Sequence, residues 1–150
     1  MVCALRYELG CRPIAMQEKI YQCSLEVRGY ELDSFGHVNH AVYVSYLEHA
    51  RWKLLAEEKI GLNEFQTWKA WPVIAKIEVS YLKPAFMGET LTVHTKILKS
   101  GRTSFIGEQN ILRGETPVLK AQVHVVMVNE KGRPTELPAE MSHLWQNPQN

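Results

Sequence analysis

The chain has 150 residues, with 17 Lys and Arg against 16 Asp and Glu, a net charge of +1. That length suits one domain with a real core, and the balanced charge leaves no electrostatic footprint for nucleic acid or an anionic membrane. No apolar run approaches the roughly 20 residues a membrane helix needs.

Cys3, Cys11 and Cys23 form no metal or redox spacing. An odd, unpatterned set of thiols favours a reducing compartment, so the expected location is the cytoplasm. Residues 1–18 read as a loose N-terminal arm and 19–150 as the domain. The short apolar pieces from Met1 to Ala15 are interrupted by Arg6, Glu8, Gly10 and Arg12, which argues against a signal peptide. Met16 offers an alternative start.

Ile20 to Arg28 alternates in the period of a strand. Gly29 to Val38 is a loop. From Asn39 to Ile60 a helical period takes over, with Tyr43, Leu47, Ala50 and Leu54 on its apolar face. Asn39 is placed to cap that helix and Gly61 to stop it. Glu48 and Arg51 stand i, i+3 and suit an ion pair. Leu62 to Trp71 is a connector with room for a helical turn.

Four strands follow. Val73 to Lys83 sets Ala75, Ile77, Val79 and Tyr81 against Lys76, Glu78 and Ser80. Glu89 to Leu98 sets Leu91, Val93, Thr95 and Ile97 against Thr92, His94 and Lys96. Arg102 to Leu112 comes next, and Pro117 to Val128 turns Ala121, Val123, Val125 and Met127 to one side. The proline-bearing tail has Leu144 and Trp145 as its anchor. A helix with a broad apolar face must bury it on this antiparallel sheet, which gives an α+β domain.

The chemistry concentrates in Asp33-Ser34-Phe35-Gly36-His37-Val38-Asn39-His40, which runs into the long helix. A carboxylate there can act as base or nucleophile. The free N–H groups of the helix start can hold a negative oxygen. Together they are equipment for attacking a carbonyl and stabilising what forms.

The pattern D-x-x-G-H-V-N-H-A-x-Y, followed by Y-L-E-H-A-R, resembles the 4-hydroxybenzoyl-CoA thioesterase family. Tyr81-Leu82-Lys83-Pro84-Ala85 with Gly88-Glu89, and Gly101-Arg102-Thr103-Ser104-Phe105, fit the same family, so the likeness runs from Ile20 to Val128. The resemblance implies a hotdog fold, a five-stranded antiparallel sheet wrapped around one long central helix. It also implies pairing into a homodimer or homotetramer with active sites between subunits.

It further implies that Asp33 is the catalytic carboxylate, as nucleophile or as general base. Its oxyanion donor falls on the backbone N–H at His40. His37 matches a histidine of related acyl-carrier-protein thioesterases, although Phe35 stands where those enzymes often carry an asparagine. Gly36 lets the backbone lie close to a ligand, and Asn39 clamps the loop. Arg102 and Ser104, with Lys83 behind them, are the candidates for the phosphates of coenzyme A. Glu48 is a minor candidate, because another hotdog branch uses a helix glutamate as nucleophile.

The expected function is hydrolysis of a fatty or aromatic acyl-CoA to free acid and CoA, with no metal and no cofactor beyond the coenzyme A of the substrate. Acyl-carrier protein is the rival donor. A hotdog hydratase or dehydratase, or a non-catalytic acyl-thioester binding module, is a more distant reading.

Overall fold

A computed structural model describes residues 19–145. The expected arm, with Cys3, Cys11 and Met16, lies outside the described residues. The elements are β1 (Tyr21–Glu26), α1 (His40–Glu57), α2 (Leu62–Trp68), β2 (Trp71–Tyr81), β3 (Thr90–Ser100), β4 (Ser104–Arg113) and β5 (Thr116–Val128). Short 3-10 turns cover Gly29–Glu31 and Ala139–Leu144. The five strands form one antiparallel sheet in the order β1-β3-β4-β5-β2. The sheet packs on α1, as the α+β reading expects.

Alternation places the core. Leu91, Val93 and Thr95 of β3, and Leu119, Ala121, Val123, Val125 and Met127 of β5, are buried on the side facing the helix. They meet Tyr43, Tyr46, Leu47, Ala50 and Leu54 of α1. Leu47 is fully enclosed, and burying such a side chain stabilises the fold by roughly 1.5–3 kcal/mol.

Asn39 caps α1 as expected, its Oδ1 accepting from the Ala41 N–H at 2.9 Å. Gly61 does not stop the helix. α1 ends at Glu57, Lys59 takes the left-handed turn at φ 59°, and the Ile60 N–H returns to the Leu55 carbonyl at 2.8 Å. Gly61 is extended and instead precedes α2, its N–H donating to Glu64 Oε2 at 2.7 Å.

The face assigned to β2 also needs correction. A register shift between Ile74 and Lys76 leaves Ala75 out of the ladder with β5. Such a bulge moves side chains by one position. Ile74 therefore pairs beside Val125, in phase with Ile77 and Val79, and Ala75 is exposed. β2 has β5 on one side and an open edge on the other, where Val73, Ile74 and Tyr81 are exposed.

The tail anchors through Leu144 and also Met141, both buried, while Trp145 stacks on Phe105 at 5.7 Å. No helix among the described residues is long and apolar enough to cross a membrane.

Candidate active site

The loop between the first 3-10 turn and α1 closes on itself. The Asp33 N–H donates to the His37 carbonyl at 2.7 Å and the Gly36 N–H to the Asp33 carbonyl at 3.0 Å. The turn needs φ 78° at Gly36, a conformation that favours glycine. Asp33 Oδ1 accepts from the Phe35 N–H at 2.9 Å and the His37 N–H at 3.2 Å. One carboxylate oxygen is thus pinned, and among the described residues Oδ2 has no hydrogen-bond donor.

Neighbouring elements suspend this loop. The Val38 N–H donates to the Ala85 carbonyl at 2.9 Å, and the Ala85 N–H to the Tyr43 hydroxyl at 3.1 Å. The Asn39 N–H donates to the Glu31 carbonyl at 2.9 Å. The buried Glu31 carboxylate accepts from the Tyr46 hydroxyl, from the Arg28 N–H at 2.9 Å and from the Arg28 guanidinium at 2.5 Å. Burial pushes the Glu31 carboxyl up, but bonds from Tyr46 and Arg28 outweigh it and hold the group below its ordinary value. Tyr46 is raised in turn, by burial first and then by its hydrogen bond to Glu31.

The helix start leaves one donor open. Asn39 takes the Ala41 N–H with its side chain and the Val42 N–H with its carbonyl at 2.9 Å. Among the described residues the His40 N–H has no acceptor. Its carbonyl accepts from the Tyr81 hydroxyl at 2.9 Å, which draws the end of β2 to the start of α1.

A cleft of about 260 Å³ opens here, lined by Asp33, His37, His40, Tyr43, Tyr81 and Lys83. Gly36 and Asn39 shape the loop behind it. Asp33 with its unbonded carboxylate oxygen, His40 with its unbonded N–H and the cation Lys83 therefore line one cleft among the described residues. That set can polarise a carbonyl and deliver an electron pair to it. The His37 imidazole packs edge-on against Phe86 at 5.0 Å, and its link to Asp33 runs through the backbone N–H.

Arg102 and Ser104 do not join this cleft within one chain. Ser104 pairs with Val126 on β5, whereas Tyr81 pairs with Leu119. Those β5 positions are roughly 23 Å apart at the usual strand rise. Arg102 lies just before β4, its side chain 80% exposed and 3.6 Å from Glu136. Glu48 is exposed and makes no pair with Arg51, which donates to Gln109 Oε1 at 2.8 Å. Sequence reasoning missed Gln109 and Glu31, and did not foresee the bond from Tyr46 to Glu31. Their signal was faint, since a buried tyrosine hydroxyl needs a partner but does not say which. Among the described residues no cluster of His, Cys, Asp or Glu could hold a metal.

Residues 27–144 match the model of the thioesterase-like superfamily. The chain belongs to the thioesterase-like superfamily. A chloroplastic acyl-acyl carrier protein thioesterase of Arabidopsis thaliana is 32% identical over 81% of this thioesterase-like chain, and the match spans 65% of that relative's length. The long-chain acyl-CoA thioesterase FadM of Escherichia coli is 31% identical over 65% of this chain and 74% of its own. Among solved structures, a Thermus thermophilus thioesterase in complex with coenzyme A and zinc superposes with a TM-score of 0.70. It is 30% identical and covers 81% of this chain and 88% of its own. The sheet wrapped on one helix is thus the hotdog fold of the thioesterase-like superfamily.

Proposed function

We propose that this chain hydrolyses acyl thioesters of coenzyme A, with Asp33 as nucleophile or general base and the His40 N–H as oxyanion donor. The observation that carries this is that Asp33 and His40 line one cleft, with Asp33 Oδ2 and the His40 N–H unsatisfied among the described residues. The N–H draws charge onto the thioester oxygen. Asp33 either attacks the carbonyl carbon or takes a proton from the water that does. The C–S bond then breaks and the sulfur leaves with a proton as CoA thiol. On the water route the acyl group leaves directly as the free acid. On the nucleophile route a water then cleaves the acyl–Asp33 anhydride to release the acid and restore the carboxylate. Gly36 and Asn39 hold the backbone in place for this step, and His37 serves the loop through its own backbone.

The E. coli relative's name and the coenzyme A of the Thermus structure support acyl-CoA as substrate. The Arabidopsis relative's name supports acyl-carrier protein as a second donor. In our reading Lys83 meets the phosphates from its own chain, and Arg102 and Ser104 meet them from a partner. Two chains pairing antiparallel along the open β2 edges bring the Trp71 end of one strand beside the Tyr81 end of the other. Arg102, at the first end, then faces the other chain's cleft. The assembly is a homodimer, or a homotetramer built from it. The location we infer is the cytoplasm, from the unpatterned thiols, and fractionation tests it against the chloroplastic relative.

The test is free-thiol release from a panel of acyl-CoA and acyl-acyl-carrier-protein substrates. Hydrolysis that disappears in Asp33→Asn supports the proposal. No release from any donor by folded protein would overturn it.

A further inference from the structure

Gly107 is buried in the middle of β4, on the face that looks at α1. Phe105 and Gln109 flank it along the strand, and Ile97 and Val123 pair with it on either side. A mid-strand glycine weakens a sheet and often marks a place where something approaches closely. Neither backbone nor neighbours demand one here. Its φ is not in the left-handed region. An added Cβ would meet the Lys96 carbonyl at 3.7 Å and Ile97 Cδ1 at 3.9 Å, both ordinary contacts.

What the missing side chain leaves is space. A cavity of about 150 Å³ lies between Gly107 and α1, walled by Ile97, Phe105, Val123, Met141 and Leu144. Its polar wall is largely occupied with itself. Gln109 Nε2 donates to the Leu47 carbonyl and to Thr95 Oγ1, each at 3.0 Å, and Gln109 Oε1 accepts from Arg51 at 2.8 Å. A cavity on this scale suits one small apolar group. It also lies on the flank of α1 that carries the Asp33 cleft. β2 walls both, with Tyr81 at the cleft and Ile74 at the cavity. From His40 to Arg51 the helix advances roughly 16 Å. A long acyl chain bridges that distance and a short one does not.

We propose that Gly107 sets acyl-length preference by keeping open a site for the far end of a long-chain acyl group. This rests on the thioesterase reading and adds its specificity determinant. Gly107→Val fills the space, and Met141→Ala enlarges it from the tail side. The readouts are kcat/KM on hexadecanoyl-CoA and hexanoyl-CoA, calorimetric binding of hexadecanoic acid, and thermal melting. The valine variant should melt at or above the parent. It should lose roughly tenfold or more on the long substrate relative to the short one, and bind the free acid more weakly. Met141→Ala should move preference toward longer chains.

If the valine variant does not fold, Gly107→Ala, which adds only ordinary contacts, decides with Met141→Ala. Folded Gly107 variants with the parent's length ratio and acid affinity overturn the proposal, even with hydrolysis intact. A parent that cleaves no thioester, yet binds the acid in a Gly107-dependent way, leaves the site standing and removes the hydrolase reading. A parent that neither cleaves nor binds removes both.

Discussion

The Tyr46 hydroxyl donates to the Glu31 carboxylate, and through that bond α1 holds the loop that carries Asp33. Glu31 is buried, yet Tyr46 and Arg28 satisfy its oxygens, and its carbonyl receives the N–H of the helix cap Asn39. Tyr46→Phe removes one donor and leaves the charge in place. We expect it to cost about 1–3 kcal/mol of stability, read from urea unfolding.

The same carboxylate carries a pH signature. Its folded pKa lies below its ordinary value, near 4.3 for an unfolded glutamate. Its stabilisation is therefore complete above the unfolded value and is lost as pH falls through the folded one. The stability gap between the parent and Glu31→Gln should be widest near neutrality and shrink in acid below about pH 4. A gap that grows on acidification would contradict the assignment.

Asp33→Asn keeps the shape of the turn, because an amide oxygen can still accept from Phe35 and His37. It removes the base and nucleophile. We expect kcat to fall by at least ~10²-fold, with binding of a non-hydrolysable acyl-CoA analogue retained. Near-normal hydrolysis by the folded variant would end the mechanism, and Glu48 would be the next residue to substitute.

Arg102 stands at the far end of the sheet from the cleft of its own chain, so its effect should cross between subunits. Arg102→Ala should raise KM for acyl-CoA more than it lowers kcat, since a remote phosphate contact contributes mostly uniform binding. Mixing Asp33→Asn chains with Arg102→Ala chains should regenerate sites in which an intact cleft meets an intact Arg102. Steady-state kinetics of the mixture at low substrate should exceed the average of the two parents. An average value would place Arg102 outside the site.

The open edge of β2 is the surface this assembly needs. Val73→Lys or Ile74→Lys puts a charge on exposed apolar positions of that edge, a substitution that discourages strand pairing. Sedimentation should show dimers or larger for the parent and a shift toward monomer for the variants. A parent that sediments as a monomer at micromolar concentration would count against the pairing itself.

Much of this molecule was legible where neighbours along the chain decide the outcome. Alternation placed Leu91, Val93 and Thr95 of β3 and Val123 and Val125 of β5, and the Asn39 cap follows from local chemistry. Misreadings came where distant partners or backbone irregularities intervene. The bulge at Ala75 has no glycine to announce it. Lys59 took the left-handed turn assigned to Gly61. Arg51 was given to Glu48, three residues away, but Gln109 reaches it from 58 residues on. The separation of Arg102 from Asp33 depends on strand order, which local periodicity does not encode.

Gln109 also acts as a rotational key for the central helix. Its amide bonds both the Leu47 carbonyl and the Arg51 guanidinium, two points on one side of α1. Apolar packing alone would tolerate some roll of the helix about its axis, because contacts between hydrocarbon side chains are non-directional. A buried amide is directional, and a roll would strand it. The azimuth of α1, and with it the aim of the His40 N–H at the helix start, is indexed to the sheet at two points, by the Tyr81 bond to the His40 carbonyl at the cleft and by Gln109 far from it.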